Sequence, residues 1–111
     1  MGASKSILFS QEQNAIAEMS KALGHPARIA ILEYLIKTGL CVCGDIVNEL
    51  PLAQATVSQH LKELKNAGLI KGCLEGNNVC YCINPDALKF LGNFISCILN
   101  NAKMDVSDCC N

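Results

Sequence analysis

The sequence predicts a mainly α fold with a small β-hairpin. Three observations predict it. The stretch from Pro51 to Ile70, PLAQATVSQHLKELKNAGLI, keeps a helical period, with Val57, Leu61 and Leu64 on one narrow apolar face and polar residues opposite. A two-strand pattern with a Gly-Asn turn follows it directly. The last helical segment is apolar most of the way round, as expected where two copies of a chain meet. This order of elements is that of a homodimeric winged helix-turn-helix.

The chain is expected to divide into a flexible N-terminal arm over 1–10, a winged helix-turn-helix domain over 11–100, and a flexible cysteine-containing tail over 101–111. Ser10 suits an N-cap, and a helix is expected from Gln11 to Leu23 with Ile16, Met19 and Leu23 on one face. Gly24 stops it. Pro26 sits where a first helical turn tolerates proline, and the second helix runs to about Lys37 with Ile29, Leu32 and Ile36 on one stripe and Ile31 and Leu35 beside it. So wide an apolar face belongs at the domain centre.

Thr38-Gly39 breaks that helix, and Leu40-Cys41-Val42-Cys43 leads into a short helix ending near Leu50. After the helix within Pro51 to Ile70, closed by Asn66-Ala67-Gly68, two strands are expected at Ile70–Leu74 and Val79–Ile83. They are joined by Glu75-Gly76-Asn77-Asn78, whose Gly and Asn tolerate the positive φ of a hairpin turn. Asn84-Pro85-Asp86 offers an N-cap, a first-turn proline and an acid that complements the helix dipole, so the last helix starts here and runs to about Asn100. Leu88, Leu91, Phe94, Ile95, Ile98 and Leu99 cover more than one of its faces.

The polar side of the Pro51–Ile70 helix carries Ala55, Ser58, Gln59, Lys62 and Asn66. Gln and Ser can hydrogen-bond base edges, Ala can touch a thymine methyl and Lys can reach a phosphate, so this face suits a DNA major groove. An ordinary amphipathic surface helix would show the same period; the flanking elements favour the DNA reading. His60 lies about 60° from the Val57 axis, at the edge of the buried stripe, and is expected to pack or bond to backbone rather than touch bases. Ala53 stands where a capping Ser is expected.

At 111 residues the chain is one domain with a modest core. Nine basic against ten acidic residues give a net charge of −1, unusual for a nucleic-acid binder. Local charge matters more. From Ala53 to Gly72 the charged residues are Lys62, Lys65 and Lys71 against Glu63, so the proposed DNA face is positive. There is no phosphate-binding Gly loop, H-E-x-x-H or nucleophile-base arrangement, so an enzyme is not expected. Neither a signal peptide nor a transmembrane segment is apparent, which makes a reducing cytoplasm the expected location and thiols the expected state of most of the eight cysteines.

Three stretches carry a family likeness: LGHPARIAILEYL, LAQATVSQHLKELKNAGLI and LCVCGDI. Together they resemble the ArsR/SmtB family of bacterial metal-sensing repressors, with LCVCGDI similar to the cysteine motif of its arsenic-sensing branch. The resemblance spans roughly residues 12–100 and implies a repressor that binds double-stranded operator DNA, dimerises through its first and last helices, and is released when As(III) or Sb(III) binds cysteine thiolates. It also implies base-reading roles for Gln54, Ala55, Ser58 and Gln59, the face that helical geometry exposes. Thr56 on the same helix and Lys62, Lys65 and Lys71 complete the candidate DNA-binding set. The turn after Glu75 lacks the Arg that would grip a phosphate, and the last helix has no His and only Asp86 as an acid, so the zinc site that other members carry there is not available.

Cys41 and Cys43 are the candidate metalloid ligands. In a regular helix they would point about 200° apart and could not chelate one ion, whereas in an extended segment they share a side. Chelation is therefore expected to distort the start of the short helix. The alternative, that they are small buried hydrophobes, is weaker for a C-x-C at this place in the chain. As(III) is soft and prefers three thiolates; the position where the arsenic branch often has a further Cys is Ile46 here, so Cys109 and Cys110 on the tail become candidates for the third. Cys80 and Cys82 fall on one face of the second wing strand with Cys73 opposite Cys80, either as strand filler or as a second thiol site, and Cys97 is expected to pack at the dimer interface. Two further readings stay open: a thiol redox or persulfide sensor joining Cys43 to a tail cysteine, and a winged-helix protein-interaction module with no DNA target.

Overall fold

A computed structural model describes residues 8–39, 41–43, 50–76 and 78–102. The short helix expected before Leu50, the first residues of the N-terminal arm, and Cys109 and Cys110 lie outside the described residues.

Helix α1 (Gln11–Ala22) starts at a reciprocal capping box: Gln13 N donates to Ser10 Oγ at 3.0 Å, and Ser10 N donates to Gln13 Oε1 at 3.0 Å. Two of the amides that a helix start leaves unpaired are thereby satisfied. Helix α2 (Pro26–Lys37) is capped by a residue that sequence reading did not single out, His25, whose Nδ1 accepts from Ala27 N at 3.0 Å. Its apolar surface divides otherwise than the sequence stripe suggested. Ile31, Leu32 and Leu35 are buried, while Ile29 and Ile36 are exposed. At 100° per residue Ile31 and Leu35 define the core-facing direction, and Ile29 and Ile36 stand about 120–140° from it. A helix apolar on most sides leaves that choice to its neighbours.

Helix α3 (Gln54–Asn66) packs on α2 and on the wing, with Val57, Leu61 and Leu64 at the centre of the core. Ala53 occupies its N-cap in an extended conformation and makes no side-chain cap bond. Gly68, with φ of 82°, ends the helix and turns the chain into Leu69 and Ile70, both fully buried.

Strands β1 (Cys41–Cys43), β2 (Ile70–Glu75) and β3 (Asn78–Ile83) form a three-stranded antiparallel sheet in the order β1-β3-β2. The hairpin holds as expected, from Ile70 opposite Ile83 to Glu75 opposite Asn78, with Gly76 at φ 65° in its turn. The strand β1 was not foreseen. Three residues are too short a run to show a β period, and only its pairing with β3 defines it.

Asn84 joins wing to terminal helix in an unexpected way. Its backbone N donates to Leu69 O at 3.0 Å and its Nδ2 donates to Gly68 O at 2.8 Å, while its buried Oδ1 accepts no bond among the described residues. The side chain therefore braces the exit of α3 instead of capping α4 (Pro85–Ala102). Of α4, Ala87 and Leu91 enter the core, whereas Phe94, Ile95, Ile98 and Leu99 remain exposed.

Candidate nucleic-acid interface and cysteine sites

The face of α3 that turns away from the core carries Gln54, Ala55, Thr56, Ser58, Gln59, Lys62 and Lys65, all exposed. Lys71 is exposed on the adjoining strand β2. The structure thus brings the eight candidate DNA-binding residues onto α3 and the wing strand beside it. The Lys65 side chain lies across Gly72, its Cε and Nζ each 3.4 Å from where a Cβ would stand. Gln59 is not idle: its Nε2 donates to Glu63 Oε2 at 3.0 Å, one turn along. That exposed bond must break before the amide can meet a base, at little cost because water competes for both groups.

His60 is buried, as its place at the stripe edge implied, but its partner is a side chain. Arg28 Nε donates to His60 Nδ1 at 3.1 Å, and Arg28 Nη1 donates to Ala22 O at 3.2 Å. One guanidinium therefore links the end of α1, the first turn of α2 and the middle of α3. The His25 ring packs against His60 with centroids 4.4 Å apart. Burial above all, then the charges of His25 and Arg28, hold the His60 pKa below its ordinary value, with Glu63 opposing weakly. A neutral imidazole with its proton on Nε2 satisfies the Arg28 bond. Sequence reading passed over Arg28, although a signal was present: a cation in a first helical turn opposes the helix dipole and is worth keeping only with partners elsewhere.

The cysteines divide by element. Cys41 and Cys43 lie on β1, opposite Cys82 and Cys80 of β3 respectively. Positions two apart on a strand share one face of the sheet, so the helix distortion expected for joint ligation is not required by this backbone. Cys80, buried, and Cys82, half-buried, are disulfide-bonded, against the expectation of thiols; Cys73 and Cys97 are free and exposed. Cys73 stands opposite Cys80 on β2, as the strand pattern predicted. Among the described residues, no group of three or more His, Cys, Asp or Glu side chains is placed to hold a metal ion. None of the described helices is long and apolar enough to cross a membrane.

Comparison with known proteins decides what this arrangement belongs to. The family model described as bacterial regulatory protein, arsR family, matches residues 25–71, the span from the α2 cap through α3 into the wing. An uncharacterized HTH-type transcriptional regulator of Methanocaldococcus jannaschii is 45% identical over 74 residues, covering 66% of this chain and 82% of that protein. The chain belongs to the ArsR family. The family is one of transcriptional regulators. Its relatives include a protein of Staphylococcus aureus named as a cadmium resistance transcriptional regulatory protein CadC homolog, 38% identical over 88 residues that cover 78% of this chain and 72% of that one. Another is the HTH-type transcriptional regulator CmtR of Mycobacterium tuberculosis, 33% identical over 88 residues, with 78% and 74% covered. The fold recurs in the crystal structure of an ArsR-family transcriptional regulator, with a TM-score of 0.72 at 16% identity over 86% of this chain and 98% of that one. It recurs also in a solution structure from Mycobacterium bovis described as a homodimeric winged helix-turn-helix DNA-binding domain, with a TM-score of 0.61 at 22% identity over 84% of each chain.

Proposed function

We propose that this ArsR-family regulator is a homodimeric repressor that sets two α3 helices in successive major grooves, about 34 Å apart, and leaves its operator when As(III) or Sb(III) binds Cys41 and Cys43. The observation that carries the inducer reading is the extended backbone of β1, which places these two positions on one side of a strand, as joint ligation of a soft ion requires. Cys109 or Cys110 supplies the third thiolate. Gln54, Ala55, Thr56, Ser58 and Gln59 face the bases, and Lys62, Lys65 and Lys71 face phosphates. The exposed apolar residues of α4, with α1 beside them, form the dimer contact. A 100-fold release from DNA needs a coupling of about 2.7 kcal/mol between the two sites.

The cadmium in one relative's name makes Cd(II), also soft and thiol-seeking, the competing inducer. Fluorescence anisotropy of the fully reduced chain on DNA from its own upstream region, titrated with As(III) and in parallel with Cd(II), tests the reading. Stoichiometric release by As(III) that Cys41→Ser/Cys43→Ser abolishes is the expected result. DNA binding that ignores As(III) but yields to Cd(II) would replace the inducer and leave the repressor standing; absence of salt-dependent DNA binding would remove the repressor as well.

The redox reading has an observation of its own in the disulfide-bonded Cys80 and Cys82.

A further inference from the structure

The sheet β1-β3-β2 places four cysteines in facing pairs: Cys41 opposite Cys82 and Cys43 opposite Cys80. Directly opposed residues of an antiparallel pair have Cα atoms about 4.5–5.5 Å apart. That spacing lies inside the range of about 4.4–6.8 Å that a disulfide spans. The pairs are two residues apart along each strand, so both occur at the same kind of site in the ladder and on the same face. Cys80 and Cys82 are each disulfide-bonded, while Cys73 and Cys97, the other described cysteines outside β1, are free. Two positions apart on one strand, Cys80 and Cys82 have Cβ atoms about 7 Å apart, too far to bond to each other, so their partners are to be sought on β1 or in the tail. Register puts β1 cysteines directly across from both.

We infer that Cys41–Cys82 and Cys43–Cys80 are the two cross-strand bonds of a thiol-disulfide switch that clamps β1 to the wing. A hydroperoxide is the oxidant. A thiolate attacks its outer oxygen and becomes a sulfenic acid as an alcohol, or water, departs; the facing thiol then displaces water to close the bond. Each pair gives up two electrons and two protons to one hydroperoxide, so full oxidation consumes two. Cys82 is half-buried whereas Cys80 is 2% exposed, so the Cys41–Cys82 pair closes first. Closure fixes β1, which precedes α3 in the chain, to β3, which runs through Asn84 into α4. The orientation of α3 beside the wing is then locked, so that the helix can no longer adjust to the major groove. The switch does not depend on metalloid sensing, although it consumes the same Cys41 and Cys43 thiols.

The test is graded oxidation of the reduced full chain with hydrogen peroxide, followed by alkylation of remaining thiols, peptide mapping by mass spectrometry and anisotropy on the upstream DNA. Pair variants resolve the connectivity: Cys41→Ser/Cys82→Ser and Cys43→Ser/Cys80→Ser should each form the one remaining bond, and Cys41→Ser/Cys80→Ser should form neither facing bond. Operator affinity of the wild type should fall at least about ten-fold on oxidation and recover with dithiothreitol. Bonds from Cys80 or Cys82 to Cys109 or Cys110, or no bonds at all, overturn the pairing. The mapped bonds with unchanged DNA affinity overturn the switch and leave structural staples. Both results are independent of whether As(III) is the inducer, which the reduced-state titration decides separately.

Discussion

Helices α3 and α4 both leave a long face uncovered, and the two faces have opposite character. On α3 the exposed residues are short, polar or basic, and its apolar residues are almost entirely buried. On α4 the exposed residues include Phe94, Ile95, Ile98 and Leu99, at 39–59% exposure, and only Ala87 and Leu91 are buried. Water satisfies the first face indefinitely, so it can wait for a charged, hydrogen-bonding partner. The second loses free energy for as long as it stays wet, at roughly 25 cal/mol per Å² of apolar surface, and so calls for a constant partner. A regulator needs both kinds of surface: one that lets go and one that does not.

The largest expected effect comes from making the second face resemble the first. Ile95→Asp/Ile98→Asp changes residues that contribute little to the core, so the subunit should stay folded by circular dichroism while sedimentation shows a monomer. Operator affinity should then fall by about 100-fold or more, because two linked half-site contacts become one. A folded dimer from this variant would show that α4 is not the contact.

Smaller effects come from trimming the first face. Gln59→Ala should weaken operator binding by about 1–3 kcal/mol and leave binding to unrelated DNA nearly unchanged. Lys62→Ala should weaken both alike and lower the salt slope by about one. Equal losses on both DNAs for Gln59→Ala would move that residue from base reading to backbone contact.

The support beneath α3 is sensitive to pH. Because the folded His60 has a lowered pKa, the unfolded chain takes up a proton first, near the ordinary value of 6.5. The contribution is therefore complete above that pH and is lost as pH falls toward the lower folded value. Protonation at Nδ1 also sets an N–H against Arg28 Nε. The urea midpoint should drop between about pH 7.5 and about pH 5.5, and His60→Gln should flatten that part of the profile. An unchanged slope would assign the acid sensitivity to other groups. Smallest of all, Ala53→Ser should add about 1 kcal/mol by supplying the cap oxygen that α3 lacks, read as a raised urea midpoint with no change in DNA specificity.

Much of this was legible in the residues. Ser10 with Gln13 three positions on, Pro26 at a first turn, the spacing of Val57, Leu61 and Leu64, and the Gly-containing turn after Glu75 are local signals. Each acts within a few residues of itself, so each element could be read where it stands. The polar face of α3 follows from the same period. Less legible were the features in which two distant segments meet. Among the described residues, the sequence by itself determined where α1 to α4 run, where the hairpin turns, and which side of α3 is polar, because short-range sterics, capping and amphipathic periodicity decide these. Only the tertiary structure decided that Ile29 and Ile36 face outward, that Arg28 reaches His60 across thirty-two positions, and that Cys41–Cys43 is a strand facing Cys80 and Cys82. Those outcomes depend on which neighbour arrives, and neither the period of a helix nor the spacing of a C-x-C carries that information.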